Sequence, residues 1–309
     1  MNPSDNYFLA PAPDGKRPIL HIRGGWSDEV DSMIFDQGID HLRIEWWDSE
    51  DLKPLRKHAA LLKKLWIECE VSDVTAVNEC VNLVDLGLMR TRSTLEFKRL
   101  KHLSTLSLSG QAICSEVAAC PHLQILTVTG VSDTNLKALA EVSGLRQLCV
   151  RESKLITIEG IERLTKLQSL TLSQLPLQSL DGLDKLDALC DLSLCCLRKL
   201  VTLDPISRIH ALKKLDITSC GKIENMSAIG GLKTLKELTL ENMKITDVGF
   251  LAPLKLLERL FLAEGTRVND GDLSVLLALP KLKDVIFSNR RHYSHKLEGI
   301  RQIIEERCR

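Results

Sequence analysis

The sequence predicts an α/β solenoid, with a curved parallel β-sheet on a concave face and 3-10 or short helices on a convex one. Three observations carry this expectation. One heptad, L-x-x-L-x-[L/V/I]-x, recurs in "LKKLWIE" (62–68), "LVDLGLM" (83–89), "LSTLSLS" (103–109), "LQILTVT" (123–129), "LRQLCVR" (145–151), "LQSLTLS" (167–173), "LCDLSLC" (189–195), "LKKLDIT" (212–218), "LKELTLE" (235–241) and "LERLFLA" (257–263). Its second apolar position falls at 65, 86, 106, 126, 148, 170, 192, 215, 238 and 260, in steps of 20 to 23 residues. Aromatic residues make up only 4% of the chain, so the core must be aliphatic.

Each element follows from the pattern. In x-L-x-L-x the alternation is that of a half-buried strand, with leucines turned in and the intervening residues out. A single strand cannot bury its apolar face alone, so the copies must stack. Weaker copies extend the series: "RPILHIR" places Leu20, "IDHLRIE" places Leu42 and "LKDVIFS" places Val285 in the same role, for about thirteen units. The returns read L/I-x-x-L/I-x-x-L, as in Ile158, Ile161 and Leu164, a period of three that suits 3-10 turns. Two returns, "SDTNLKALAEVSG" (132–144) and "NDGDLSVLLALPK" (269–281), read as more α-helical.

Pattern and spacing together resemble the leucine-rich repeat superfamily, from about Pro18 to Asn289. The short repeats are similar to those of the bacterial internalins and of the phosphatase-regulating leucine-rich repeat proteins. The resemblance implies a leucine-rich-repeat solenoid of about 13 repeats. The fold serves many unrelated roles, so it says little about activity. One departure stands out. The family places Asn or Cys three residues after the last inward position of each strand, and here Cys220 alone fits, so the turns must satisfy their backbone groups otherwise.

A solenoid exposes apolar core at both ends and needs caps. We expect a tail at 1–17, a repeat domain at 18–289 that includes an N-terminal capping segment, and a C-terminal capping helix at 290–309. "SDEVDSMIFDQG" (27–38) reads as a short helix begun by Ser27. In "HKLEGIRQIIEERCR" (295–309), Leu297, Ile300, Ile303 and Ile304 share one helical face.

The strand phase assigns the concave face. Residues between the two inward positions form one row, from His21, Arg43, Trp66 and Gly87 through Ser, Thr and Cys to Asp216, Thr239, Phe261 and Ile286. A second row includes Arg23, Glu45, Glu68 and Glu241. The candidate partner-binding residues are His21, Arg23, His41, Arg43, Glu45, Trp46, Lys64, Trp66 and Glu68 in the first third. Asp216, Glu237, Glu241, Arg259 and Phe261 form an acidic cluster near the other end, and the two clusters suggest a partner held at both ends. Trp and Arg are enriched at binding hot spots. Trp66 is expected to point outward, with Arg43 stacked on its indole and Gly87 leaving space beside it. Trp46 is expected near the edge of its strand, and Trp47 inward.

Composition narrows the function. The 309 residues are 44% hydrophobic and 27% charged with zero formal net charge, which argues against nucleic acid or anionic lipid as a partner. No apolar run approaches the length of a membrane span, and the start of the chain lacks the features of a signal peptide. Ten scattered cysteines are expected as free thiols in the cytoplasm. His292 and His295 in "RRHYSHK" do not make a zinc shell, and Cys195–Cys196 lacks an activating base. No catalytic residue, metal or cofactor is expected. The leading expectation is a non-enzymatic module that binds a protein, such as a toxin neutralised by an immunity-type protein or a regulatory enzyme engaged by an effector adaptor. A metal-dependent enzyme is the rival.

Overall fold

The computed structural model describes residues 6–12, 15, 17–89, 91, 95–110, 113, 115–223 and 225–308. The chain divides into two compact units, Met1–Ser132 and Asp133–Arg309. Both are stacks of leucine-rich-repeat coils.

The first unit holds strands β1 (Tyr7–Ala10), β2 (Ile19–Arg23), β3 (His41–Trp46), β4 (Lys64–Ile67), β5 (Asp85–Leu88), β6 (Thr105–Ser109) and β7 (Ile125–Thr129). Strands β2 to β7 pair in parallel with their marker residues aligned, Leu20 on Leu42 on Leu65 on Leu86 on Leu106 on Leu126. All six leucines are fully buried. Within the segment expected as a tail, β1 pairs antiparallel with β2, Phe8 opposite His21. An open edge of β2 would leave a row of unpaired backbone groups, and β1 covers it.

The second unit holds β8 (Gln147–Arg151), β9 (Ser169–Ser173), β10 (Asp191–Cys195), β11 (Lys214–Thr218), β12 (Glu237–Glu241), β13 (Lys244–Ile245), β14 (Arg259–Leu262), β15 (Arg267–Val268) and β16 (Asp284–Phe287). Its main sheet runs β8, β9, β10, β11, β12, β14, β16, all parallel, while β13 and β15 form a two-residue ladder beside it.

The returns are 3-10 turns. Many begin with a short polar side chain that accepts a backbone N–H two residues on: Asp51 from Lys53, Asp73 from Thr75, Asn225 from Ser227, Asp247 from Gly249. The two returns expected to be more α-helical follow the same rule. Asn135 caps a 3-10 helix at Lys137–Leu139, and Asp272 caps another at Ser274–Ala278. Both returns close as short 3-10 turns although their repeats, 22 residues from Leu126 to Leu148 and 25 from Leu260 to Val285, are not the shortest in the chain.

The missing Asn ladder has a replacement. The residue leaving each of strands β8 to β12 adopts a left-handed conformation although it is not glycine: Glu152, Gln174, Cys196, Ser219 and Asn242 have φ between 49° and 55°. Each donates its N–H to a carbonyl at or just past the strand end of the following repeat, Ser173, Cys195, Thr218, Glu241 and Glu264 in turn, at 2.8–3.0 Å. Gly110 does the same to Thr129 in the first unit. The conformation costs a non-glycine residue about 1–2 kcal/mol, and the inter-repeat bond offsets it. Cys220, at the family's Asn or Cys position, donates its thiol to the carbonyls of Leu194 and Thr218.

Two α-helices complete the units. Helix α1 (Asp28–Asp36) starts at Ser27, whose hydroxyl accepts the Val30 N–H. Its Asp31 carboxylate gathers three donors: Trp26 Nε1 at 2.6 Å, Lys57 Nζ at 2.6 Å and His58 Nε2 at 2.7 Å. Burial opposes the charge on Asp31, but these bonds win and hold its pKa at about 2. Helix α2 (Leu297–Cys308) lies against β16 and the Ser274–Ala278 turn. Ile300 and Ile304 are buried, whereas Ile303 is 39% exposed and does not join the sealing face. Arg301 and Arg307 donate to the carbonyls of Val285, Leu279 and Leu277, which the last coil leaves without a next repeat.

Two outcomes test this account. A Cβ at Gly160 (φ +102°) would lie 2.7 Å from the Leu136 carbonyl group, whereas one at Gly221 would meet nothing. Gly160→Ala is expected to cost about 2 kcal/mol or more in urea unfolding, and Gly221→Ala no more than about 0.5 kcal/mol. Asp31→Asn should cost about 2 kcal/mol at neutral pH. Because the folded pKa of Asp31 is depressed, its contribution is present above the ordinary carboxylate value of 3.8. It is lost as pH falls toward about 2, so wild type and variant should converge over that window.

Candidate functional site

Side chains alternate along each strand, so positions one, three and five of the heptad's strand face away from the leucine core. In the first unit this open face carries His41, Lys64 and Asp85 in one row, then Arg43, Trp66 and Gly87, then Glu45 and Glu68. Trp66 lies outside the core, and a Cβ on Gly87 would sit 2.6 Å from its indole carbons. The ring therefore occupies the space that Gly87 leaves.

Several candidate residues take places that differ from the expectation. Arg43 does not stack on Trp66. Its guanidinium clasps the Glu68 carboxylate on the next strand, with Nε at 2.8 Å. A charge-assisted hydrogen bond outweighs stacking on a half-exposed ring. His21 points outward but is buried, because Phe8 of β1 stacks on it at 4.4 Å between ring centroids. Its Nδ1 donates to Glu45 at 2.6 Å. Arg23 also donates to Glu45, and its guanidinium lies 4.7 Å above the Phe8 ring. Burial alone would raise the Glu45 pKa, but the bonds from His21 and Arg23 hold it below the usual range. A bulge after Ile22 sets Arg23 opposite Trp46 rather than Glu45.

The tryptophans separate by role. Trp46 is 56% exposed. Trp47 is buried, its indole N–H donated to the Asp51 carbonyl at 2.9 Å. Trp26 packs edge-on to Trp47 and stacks on His58.

The strand starts in this unit border a cavity of about 650 Å³. His41 and Lys64 lie along it, with Arg43 and Trp66 beside them and Asp85 at the far end. Burial, then the nearby Lys64 ammonium, push the His41 pKa down to about 4, so its imidazole is neutral at pH 7. Lys64 forms no salt bridge among the described residues. Burial raises the Asp85 pKa against the pull of Lys64 and a bond from Trp66, and its Oδ1 is closed from solvent without a hydrogen-bond partner.

In the second unit the acidic cluster is largely neutralised. Lys214 pairs with Asp216 at 3.1 Å, and Arg259 pairs with Glu237. Glu241 is half-buried on the same face. Phe261 is half-buried beside Ile286, which is 42% exposed. Cys195 lies on the open face between Ser173 and Thr218, and burial first raises the neighbouring Cys196 thiol, the opposite of activation. His292 Nε2 is taken by the Val268 carbonyl at 3.0 Å and His295 Nδ1 by the Ser294 hydroxyl at 2.8 Å.

Sequence reasoning missed two groups. Asp85 was legible, since it precedes an inward leucine as His41 and Lys64 do. Phe8 was not, because no repeat passes through it. The Asp85 charge is unfavourable in the folded protein, so Asp85→Asn should raise the melting temperature at pH 7. A raised carboxyl pKa penalises folding only above the unfolded value. The gain should therefore disappear below about pH 3.8, as a pH series of thermal melts would show.

No family model and no curated protein matches the chain. Solved structures do. The leucine-rich repeat protein LIC12759 of Leptospira interrogans matches with a TM-score of 0.56 and 18% identity, over 86% of this chain and 82% of that one. TLR13, solved as a complex with ssRNA13, matches with a TM-score of 0.66 and 17% identity, over 86% of this chain but only 42% of its own. Identities this low speak for the fold alone. With the ten L-x-x-L-x-[L/V/I] copies and the aligned buried leucines, they establish that this chain has the leucine-rich-repeat fold.

Proposed function

We propose that the chain is a non-enzymatic interaction module that binds a protein partner on the open face of its sheet, anchored in the first unit by Trp66 on that face and by Trp46 at the end of β3. The observation that carries this reading is Trp46, a large apolar ring left 56% exposed at the end of β3. Folding gains nothing from that exposure, and a contact that removes it from water gains about 25 cal/mol per Å². Around it, Arg43–Glu68 and His21–Glu45–Arg23 are held by one another, which lowers the cost of ordering them on contact.

The RNA in the TLR13 complex is not carried over to this chain. Formal net charge is zero, and much of the basic side chain on the face is already bonded to carboxylates. The eight free cysteines among the described residues fit a reducing compartment such as the cytoplasm. Whether the partner is a toxin to be neutralised or a regulatory enzyme to be recruited follows from its identity.

The test is capture from native host lysate with three baits: wild type, Trp46→Ala/Trp66→Ala, and Phe261→Ala. A protein held by wild type should be lost, by at least about tenfold, from the double variant with its circular dichroism spectrum unchanged, and kept by Phe261→Ala. Retention by the double variant would move the interface off this face.

A further inference from the structure

The cavity at the strand starts of the first unit has a charge that selects what enters it. Among the described residues, four cations, Arg17, Arg43, Lys63 and Lys64, border it against two carboxylates, Asp40 and Asp85. Asp40 is engaged by Arg17 at 3.1 Å and Lys63 at 3.7 Å. Arg43 is turned to Glu68. Lys64 is left as the cation without a salt-bridge partner among the described residues, on a floor it shares with Ile19 and the neutral His41.

We propose that this cavity receives the carboxylate of an aspartate or glutamate side chain presented by the protein partner, with Lys64 as its counter-ion. This rests on the reading that the partner lies on this face. The carboxylate would pair with the Lys64 ammonium, its methylene groups packing against Ile19 and the Trp66 indole. A cationic side chain fits poorly. It would meet the surplus positive charge, and its only uncommitted partner among the described residues would be Asp85, whose free oxygen is closed from solvent. Asp85 opposes an incoming carboxylate and weakens its binding, which supplies a test by sign.

The probes are fluorescently labelled hexaglutamate, hexaglutamine and hexalysine, acetylated and amidated, titrated by anisotropy at low ionic strength. Hexaglutamate should bind and the other two should not. Lys64→Met, which keeps the aliphatic stem, should weaken binding at least about tenfold. Asp85→Asn, near-isosteric and relieved of a buried charge, should tighten it several-fold. Binding of hexalysine, indifference of hexaglutamate to Lys64→Met, weaker binding by Asp85→Asn, or no binding of hexaglutamate would each overturn the proposal. The same variants used as baits separate it from the reading it rests on. A partner lost with the two tryptophans but indifferent to Lys64→Met leaves the face standing and removes the pocket. Hexaglutamate binding as expected, beside a partner indifferent to the tryptophans, leaves the pocket standing and removes the face.

Discussion

Each coil of this chain buries two inward residues of a strand that its own twenty-odd residues cannot cover. Leu42 and Ile44 need Leu65 and Ile67 beside them, which need Leu86 and Leu88 in turn. Burying one such side chain is worth roughly 1.5–3 kcal/mol, and lateral pairing satisfies the backbone of the same strand. The spacing of 20 to 23 residues, the aligned register and the short returns all follow from this need for a neighbour.

The same constraint explains the ends and the turns. A stack must stop somewhere, and the last coil has carbonyls with no next repeat to accept from. Arg301 and Arg307 of α2 supply donors in the second unit, and β1 supplies a whole strand in the first. Between repeats, the left-handed residue after the strand does what the family assigns to an Asn side chain. It uses backbone in place of side chain, which frees the position for Leu175, Leu197 or Met243 to fill the core.

The open face bears none of this load, so its residues are free to differ from repeat to repeat. It is small and hydroxyl-bearing in Ser107 and Thr127, ion-paired around Arg43, and aromatic at Trp66. A cavity beside Trp66 with an uncommitted ammonium and a desolvated carboxylate does not follow from the repeat. It costs the fold something at Asp85, a cost that the repeat itself does not require.

The sequence by itself determined the repeat strands, their phase and therefore which side of the sheet each of their residues faces, because period-two alternation and a fixed repeat are local properties. Trp66 outward over Gly87 and Trp47 inward were both legible in this way. Only the tertiary structure decided what each outward side chain touches. Arg43 chose Glu68 over the indole because lateral stacking brought a carboxylate from the next strand within 2.8 Å. His21 was covered because Phe8, in a segment with no repeat, folds back antiparallel to β2. Competition among partners depends on distances between strands far apart in sequence, and no pattern along one strand contains them.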